Sequence, residues 1–96
     1  MLEIKNLDQD GQGVFFIGED GQRLAEMNYR WVNSDTLVIE RTWVDNVLRG
    51  QNIGRQLVEQ AIDLAQRKNA KIVAKCAFAK AVFEKDPSLQ DALVAA

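Results

Sequence analysis

Histidine is absent from this chain of 96 residues, and cysteine and proline each occur only once. Without histidine, the chain lacks the commonest general base and the commonest metal ligand. The single cysteine cannot form an internal disulfide, so a reducing compartment such as the cytoplasm is the expected setting. The sequence therefore predicts no metal site, and any acid–base chemistry has to use other groups.

Long apolar runs and long basic runs are also missing. No segment approaches the length that spans a membrane, and the first residues lack the apolar part of a signal peptide. The formal net charge is −2, and no basic run supplies the charge that neutralises nucleic-acid phosphates. Neither a membrane nor a nucleic acid is an expected partner. The composition, 47% hydrophobic and 27% charged, predicts a single globular domain over 1–96, with no signal for an oligomeric state.

The first half of the chain alternates between apolar and polar residues in four segments that predict strands. These strands are expected over 2–7, 14–17, 23–32 and 36–44. The turns between them are predicted at Asp10-Gly11, at 19–22 and at 33–35. Strict alternation places Ala25, Met27, Tyr29 and Trp31 on one face of the third strand. In the fourth strand it places Leu37, Ile39, Arg41 and Trp43 together. Four strands joined by short turns predict an antiparallel meander.

The second half predicts a helix, a strand and a second helix. Apolar residues at helical spacing begin at Ile53, and Lys68-Asn69 ends that helix, with Asn69 suited to a left-handed C-terminal position. A strand over 71–76 follows a crossover, which predicts that it lies parallel to the fourth strand. The second helix is expected over 78–85 with Phe78 and Phe83 in the core, and Asp86-Pro87 stops it. A short helical turn is expected over 89–94. The fold class is α+β.

The most informative stretch is Arg49-Gly50-Gln51-Asn52-Ile53-Gly54, which leads from the fourth strand into the first helix. A helix N-terminus has unpaired N–H groups and positive potential, and glycine lets a ligand approach the backbone. The expected anion donors are the backbone N–H groups from Gln51 to Arg55, with charge added by Arg49 and Arg55. The alternative is a tight turn flanked by solvated surface charge.

This stretch resembles the acetyl-coenzyme A binding core of the GCN5-related N-acetyltransferases. Their signature is Gln or Arg, two residues, Gly, one residue, then Gly or Ala, and Arg49, Asn52 and Gly54 occupy those positions. Asn52 replaces the first glycine, and asparagine tolerates positive φ better than most residues. The segment 72–87, with Cys76 at the end of its strand, is similar to a minimal branch of that superfamily. The resemblance extends from Tyr29 to Leu93.

The resemblance implies an acyl-coenzyme A N-acyltransferase fold and transfer of an acetyl group from acetyl-coenzyme A to an amine. The short chain implies an open groove that suits a protein or peptide amine as acceptor. The pyrophosphate is expected on Arg49–Arg55. The strand before the loop is expected to splay, so that Trp43 and Val44 pair with the pantetheine arm. Phe83 is expected against the same arm, and Lys80 is expected to bind the cofactor.

Cys76 and Arg41 are the candidate catalytic residues. In the minimal branch the cysteine is a candidate catalytic residue, acting as a nucleophile or as the acid that protonates the leaving thiolate; the alternative is a buried small hydrophobe. Arg41 stands where that branch usually has histidine. It is expected to bind an anionic acceptor or to tune Cys76, or else to snorkel to a sheet edge. Two further functions stay open: a non-catalytic acyl-coenzyme A binding module and a partner-binding domain without cofactor.

Overall fold

The computed structural model describes residues 3–19 and 21–94, and this part of the chain forms one five-stranded sheet with helices. The sheet order is β1-β2-β3-β4-β5. The strands are β1 (Lys5–Gln9), β2 (Gln12–Glu19), β3 (Gln22–Asn33), β4 (Thr36–Val44) and β5 (Lys71–Ala74). The α-helices are α1 (Ile53–Arg67) and α2 (Ala77–Lys85), and short 3₁₀ helices span Asn46–Leu48 and Pro87–Ala92. The predicted α+β class is confirmed.

The predicted meander is confirmed, since β1 to β4 pair with one another antiparallel in chain order. β4 has the predicted bounds, whereas β2 and β3 are longer than predicted and β1 begins at Lys5. Leu2 and Asp20, which fell in the first predicted strand and the second predicted turn, lie outside the described residues. Asp10 and Gly11 have φ of 56° and 81°, as a tight hairpin turn of two positive-φ residues requires.

The predicted crossover is also confirmed. α1 ends where Asn69 adopts φ of 55°, and β5 pairs parallel with β4. β5 stops at Ala74, two residues earlier than predicted. α2 ends before Pro87, with Asp86 extended. The expected last turn is a 3₁₀ helix, after which the N–H of Val94 donates to the carbonyl of Ile72 at 2.9 Å.

Both α-helices pack on the same face of the sheet. The core on that face joins Met27 of β3, Ile39 of β4, Ile72 of β5, Leu57 of α1 and Phe83 of α2, all at most 2% exposed. In the part of the chain that the structure describes, no helix covers the opposite face, which we call the outer face. No helix within these residues is long and apolar enough to cross a membrane.

A β-bulge at Glu40 changes which side chains of β4 face the helices. Tyr29 pairs with Ile39 and Asn28 with Arg41, so Glu40 is an extra residue on β4. An extra residue reverses the alternation of the side chains that follow it. Thr42 pairs with the buried Met27 and faces inward. The predicted common face of Leu37, Ile39, Arg41 and Trp43 is therefore wrong beyond Ile39, because Arg41 and Trp43 lie on the outer face.

Candidate cofactor site

β4 and β5 separate at the bulge. Their last paired residues are Ile39 and Ala74, and the N–H of Lys75 donates to the carbonyl of Ile39 at 2.9 Å. Beyond this point, residues 41–44 of β4 pair only with β3 among the strands of the described residues. The backbone edge of β4 is therefore open toward Cys76 and α2. We call this gap the cleft.

The loop at one end of the cleft is held by a short 3₁₀ helix, Asn46–Leu48. Asp45 caps that helix by accepting a hydrogen bond from the N–H of Val47 at 2.9 Å, and Leu48 anchors it in the core with 5% exposure. The Arg49 side chain donates to Oδ1 of Asn46 at 2.7 Å. Because these contacts are local, the loop approaches the helix start with a defined path.

The chain enters α1 through two residues with positive φ. Gly50 has φ of 84° and Asn52 has φ of 60°, so Asn52 adopts the left-handed conformation predicted for it. No side chain of the described residues caps the helix at Asn52. The first helical hydrogen bond runs from the N–H of Gln56 to the carbonyl of Asn52 at 3.2 Å. Within the described residues, the amides of residues 53–55 are therefore unpaired donors at the positive end of the helix dipole. The prediction was wrong for Gln51, whose N–H bonds to the carbonyl of Leu48 at 3.4 Å.

The two arginines predicted to supply charge differ in their surroundings. Arg55 forms ion pairs with Asp86 and Glu59. Hydrogen bonds from Ser88, and then from Arg55, lower the pKa of Asp86 to about 2, so the pair stays charged across the neutral range. Arg49 has no carboxylate partner among the described residues. Of the two arginines, Arg49 can therefore bind an anion without giving up an ion pair, whereas Arg55 cannot.

Phe78 is a site residue that the sequence did not single out. Its ring lies over Gly54, where a Cβ atom would come within 2.3 Å of the ring. Phe78 therefore separates two open grooves: one of about 450 Å³ lined by the loop, and one of about 530 Å³ between α1 and α2. With 38% of its surface exposed, Phe78 is not the core residue that was predicted.

Lys80 and Phe83 lie elsewhere. The Phe83 ring is 2% exposed in the core. Both residues line a third groove, of about 510 Å³, beside β5 and Leu93. The structure thus brings Val44, Arg49, Gly50 and residues 52–54 together around one groove, but it does not bring Lys80 and Phe83 to that groove.

Cys76 lies at the inner side of the cleft as the N-terminal cap of α2. Its Sγ accepts a hydrogen bond from the N–H of Ala79 at 3.4 Å and lies 3.3 Å from Oγ1 of Thr42. The side chain is partly exposed, so it is not simply a buried small hydrophobe. Arg41, the predicted partner, lies on the outer face. Thr42 was missed because strict alternation, without the bulge, placed it on the wrong face.

Comparisons with known proteins give one family and one fold. The profile of the GCN5-related N-acetyl-transferase family matches residues 14–92. A GCN5-like protein from Staphylococcus aureus, solved by NMR, is 36% identical with a TM-score of 0.78, over 99% of this chain and 90% of its own. No curated protein sequence matches significantly.

Two more distant structures share the fold. The ribosomal-protein-S18-alanine N-acetyltransferase from Escherichia coli is 20% identical with a TM-score of 0.64, over 81% of this chain and 53% of its own. An aminoglycoside N-acetyltransferase solved in complex with CoA is 16% identical with a TM-score of 0.61, over 80% of this chain and 67% of its own. At these identities the likeness concerns the fold alone.

Proposed function

Because this chain belongs to the GCN5-related N-acetyltransferase family, we propose that it transfers an acetyl group from acetyl-coenzyme A to an amine of a protein or peptide. The observation that carries the proposal is the cleft. An open strand edge at 41–44 runs toward a helix N-terminus whose amides 53–55 are unpaired among the described residues. An extended, partly peptide-like arm with an anionic group at one end matches both features.

The chain offers a fitting partner for each part of this substrate. The amides of Ile53, Gly54 and Arg55 and the guanidinium of Arg49 suit the pyrophosphate, because helix N-termini and arginine both bind phosphate oxygens. The strand edge at Trp43 and Val44 suits the amides of the pantetheine arm. The aminoglycoside N-acetyltransferase that shares the fold was solved with CoA, which supports the same class of substrate here.

Cys76 is the proton donor of the reaction in this proposal. Acetyl-coenzyme A supplies an activated acetyl thioester. Cys76 holds a proton on Sγ and gives it to the departing sulfur as the acceptor nitrogen bonds to the acetyl carbon. Thr42, 3.3 Å from Sγ, orients the thiol, and solvent returns the proton. Water takes the proton of the acceptor amine, because a cationic Arg41 is a poor base. A cytosolic location, where thiols stay reduced, agrees with this role.

An acetyl-coenzyme A titration followed by amide chemical shifts tests the cofactor site. We expect the largest shifts at residues 43–44 and 50–55, since these residues form the open strand edge and the helix start. Shifts that spread evenly over the protein, or no shifts at all, would refute the site and favour a partner-binding domain.

Release of coenzyme A in the presence of peptide amines tests the chemistry. Cys76→Ala should reduce turnover by about 10²- to 10⁴-fold, as for loss of a general acid, and Thr42→Val should have a smaller effect in the same direction. Thr36→Val is the matched control, because Thr36 lies on the same strand and its hydroxyl bonds only to Asp35 among the described residues. Rates at the uncatalysed background for both wild type and Cys76→Ala, with acetyl-coenzyme A still bound, would identify a non-catalytic module. Equal rates above background would show only that Cys76 is not the proton donor. Detection of acetylated Cys76 by mass spectrometry would indicate that Cys76 acts as a nucleophile and not as the acid.

A further inference from the structure

We propose that the outer mouth of the cleft selects acceptor peptides with acidic residues next to the reacting amine. This inference rests on the proposed function. The residues that carry it are Arg41 and Lys75, which flank the point where β4 and β5 separate. Each directly precedes one member of the inward pair, Thr42 and Cys76, whose side chains are 3.3 Å apart.

Side-chain alternation places both cations on the outer face. Arg41 pairs with Asn28, which alternates with the buried Met27 and Tyr29. Lys75 follows Ala74, which packs against the core, so its side chain points the opposite way. Both side chains are exposed. The hydrogen bond from the N–H of Lys75 to the carbonyl of Ile39 keeps the two strands adjacent at 2.9 Å. Two cations therefore lie on opposite sides of the same opening.

Neither cation has a carboxylate partner in the described part of the chain. The chain has six arginines, and four of them form ion pairs with Asp or Glu. The remaining two are Arg49, at the proposed phosphate site, and Arg41. The two arginines without a carboxylate partner thus lie at the two ends of the cleft. This is a local excess of positive charge in a protein whose net charge is −2.

The two carboxylates that neighbour Arg41 and Trp43 in the strands, Glu40 before Arg41 and Glu26 opposite Trp43, are already neutralised. Glu40 accepts from Nε of Arg30 at 2.7 Å, and Glu26 lies 3.2 Å from a guanidinium nitrogen of Arg23. The mouth of the cleft thus keeps a net positive charge from Arg41 and Lys75. Positive potential at an opening recruits anionic partners and repels cationic ones.

The same surface fits an extended peptide better than a small molecule. Trp43 and Val73 lie on the outer face beside the two cations and are 36% and 37% exposed, so they offer apolar contacts on both strands. No helix of the described residues covers this face. A peptide can place its amine in the cleft, an Asp or Glu against each cation and an apolar side chain on Trp43. Charge complementarity and the apolar flanks together define the acceptor as an acidic peptide.

Matched peptides test the selection. Each has a single free amine, with Asp and Glu, Asn and Gln, or Lys and Arg around it. An exposed ion pair is worth a factor of about 1.5 to 5 in affinity, so two ion pairs should lower the KM of the acidic peptide about 2- to 25-fold relative to the neutral one. The advantage should shrink in about 0.5 M salt, because exposed charges are screened. The KM for acetyl-coenzyme A should not change across the series.

Charge reversal identifies the residues. Arg41→Glu with Lys75→Glu should remove the preference for the acidic peptide and create one for the basic peptide. Lys68→Glu, the same change at the exposed end of α1, is the matched control and should leave the preference unchanged. Peptide binding to the coenzyme A-bound protein, followed by amide shifts at residues 41 and 75 and by tryptophan fluorescence, gives a readout that needs no turnover.

The outcomes separate this inference from the proposed function. Equal KM values for all three peptides, or a preference that survives the double reversal, would overturn the inference while acetyl transfer stands. Acetylation of small anionic amines but of no peptide would overturn it too. A third outcome concerns the wild-type protein. If it showed neither acetyl-coenzyme A binding nor turnover, but still bound the acidic peptide at residues 41 and 75, the proposed function would be overturned and the peptide site would stand.

Discussion

The contact between Gly54 and Phe78 leads to a specific prediction about stability. Gly54 has an ordinary helical φ, so it is needed for space: a Cβ atom there would lie 2.3 Å from one carbon of the Phe78 ring and 2.6 Å from the next. Ordinary contact needs more than about 3.4 Å, so Gly54→Ala must move the ring by about 1 Å or rotate it outward. The ring is 38% exposed and can move without disturbing the core.

Two opposing effects then set the free energy of unfolding. Alanine is more stable than glycine within a helix by about 0.5 to 1 kcal/mol. Complete burial of a phenylalanine side chain is worth about 1.5 to 3 kcal/mol, and the contact with Gly54 is a part of this, about 0.5 to 1 kcal/mol. Gly54→Ala alone should therefore change stability by less than about 0.5 kcal/mol. In a Phe78→Ala background it should stabilise by about 0.5 to 1 kcal/mol.

Urea unfolding of the four proteins measures the coupling, with the slope m checked for constancy. Gln60→Gly, at an exposed site in the middle of α1, is the control and should have the same effect in both Phe78 backgrounds. If Gly54→Ala also has the same effect in both, within about 0.3 kcal/mol, Phe78 does not occupy the space above Gly54. Phe78 would then not be the residue that separates the two grooves.

Four other substitutions test the loop and two titrating residues. Gly50→Ala should destabilise by about 1 to 2 kcal/mol through positive φ alone, while Asn52→Gly should change stability by less than about 0.5 kcal/mol; urea unfolding measures both. Burial raises the pKa of Tyr29 from 10.0 to about 12. The neutral Tyr29 therefore contributes about 3 kcal/mol of stability below pH 10, and this contribution is lost as the pH rises toward about 12. Alkaline unfolding of Tyr29→Phe should lack this step. The pKa of Asp86 falls from 3.8 to about 2, chiefly through Ser88, so its contribution is complete above pH 3.8 and is lost as the pH falls through about 2; acid unfolding of Ser88→Ala should shift this loss to higher pH.

Local chemistry explains why much of the fold and the loop could be predicted from sequence. Asp10-Gly11, Asn69 and Asn52 all adopt positive φ, which their residue types favour without help from distant contacts. Alternation in β3 and helical spacing in α1 reflect burial on one face of each element. These patterns were therefore enough to predict the meander and the crossover.

The rest of the site depends on contacts that sequence spacing does not contain. The ion pair between Arg55 and Asp86 joins residues that are 31 positions apart, so this pair was not visible in the pattern. Phe78 and Ala79 are neighbours in sequence, but the helix turns about 100° per residue, and only Ala79 reaches the core. The bulge at Glu40 was hidden because a glutamate fits an ordinary outward position of a strand. Thr42 was assigned to the wrong face for this reason alone.

The bulge itself gives a test of why the cleft exists. A bulged strand bends and twists more than a regular one, and β4 leaves β5 at Glu40. Deleting Glu40 would keep Arg41 opposite Asn28 and Thr42 opposite Met27, so every later side chain would keep its face. We therefore expect the deletion variant to fold, with a straighter β4, a narrower cleft and at least about tenfold weaker acetyl-coenzyme A binding by titration. Glu40→Ala is the control, because it keeps the bulge and loses only the ion pair with Arg30, worth about 0.2 to 1 kcal/mol. If the folded deletion variant bound acetyl-coenzyme A as tightly as Glu40→Ala does, the bulge would not be what opens the cleft. The separation of β4 and β5 would then have to be set by α1 and α2, which pack on the face of the sheet opposite the outer face.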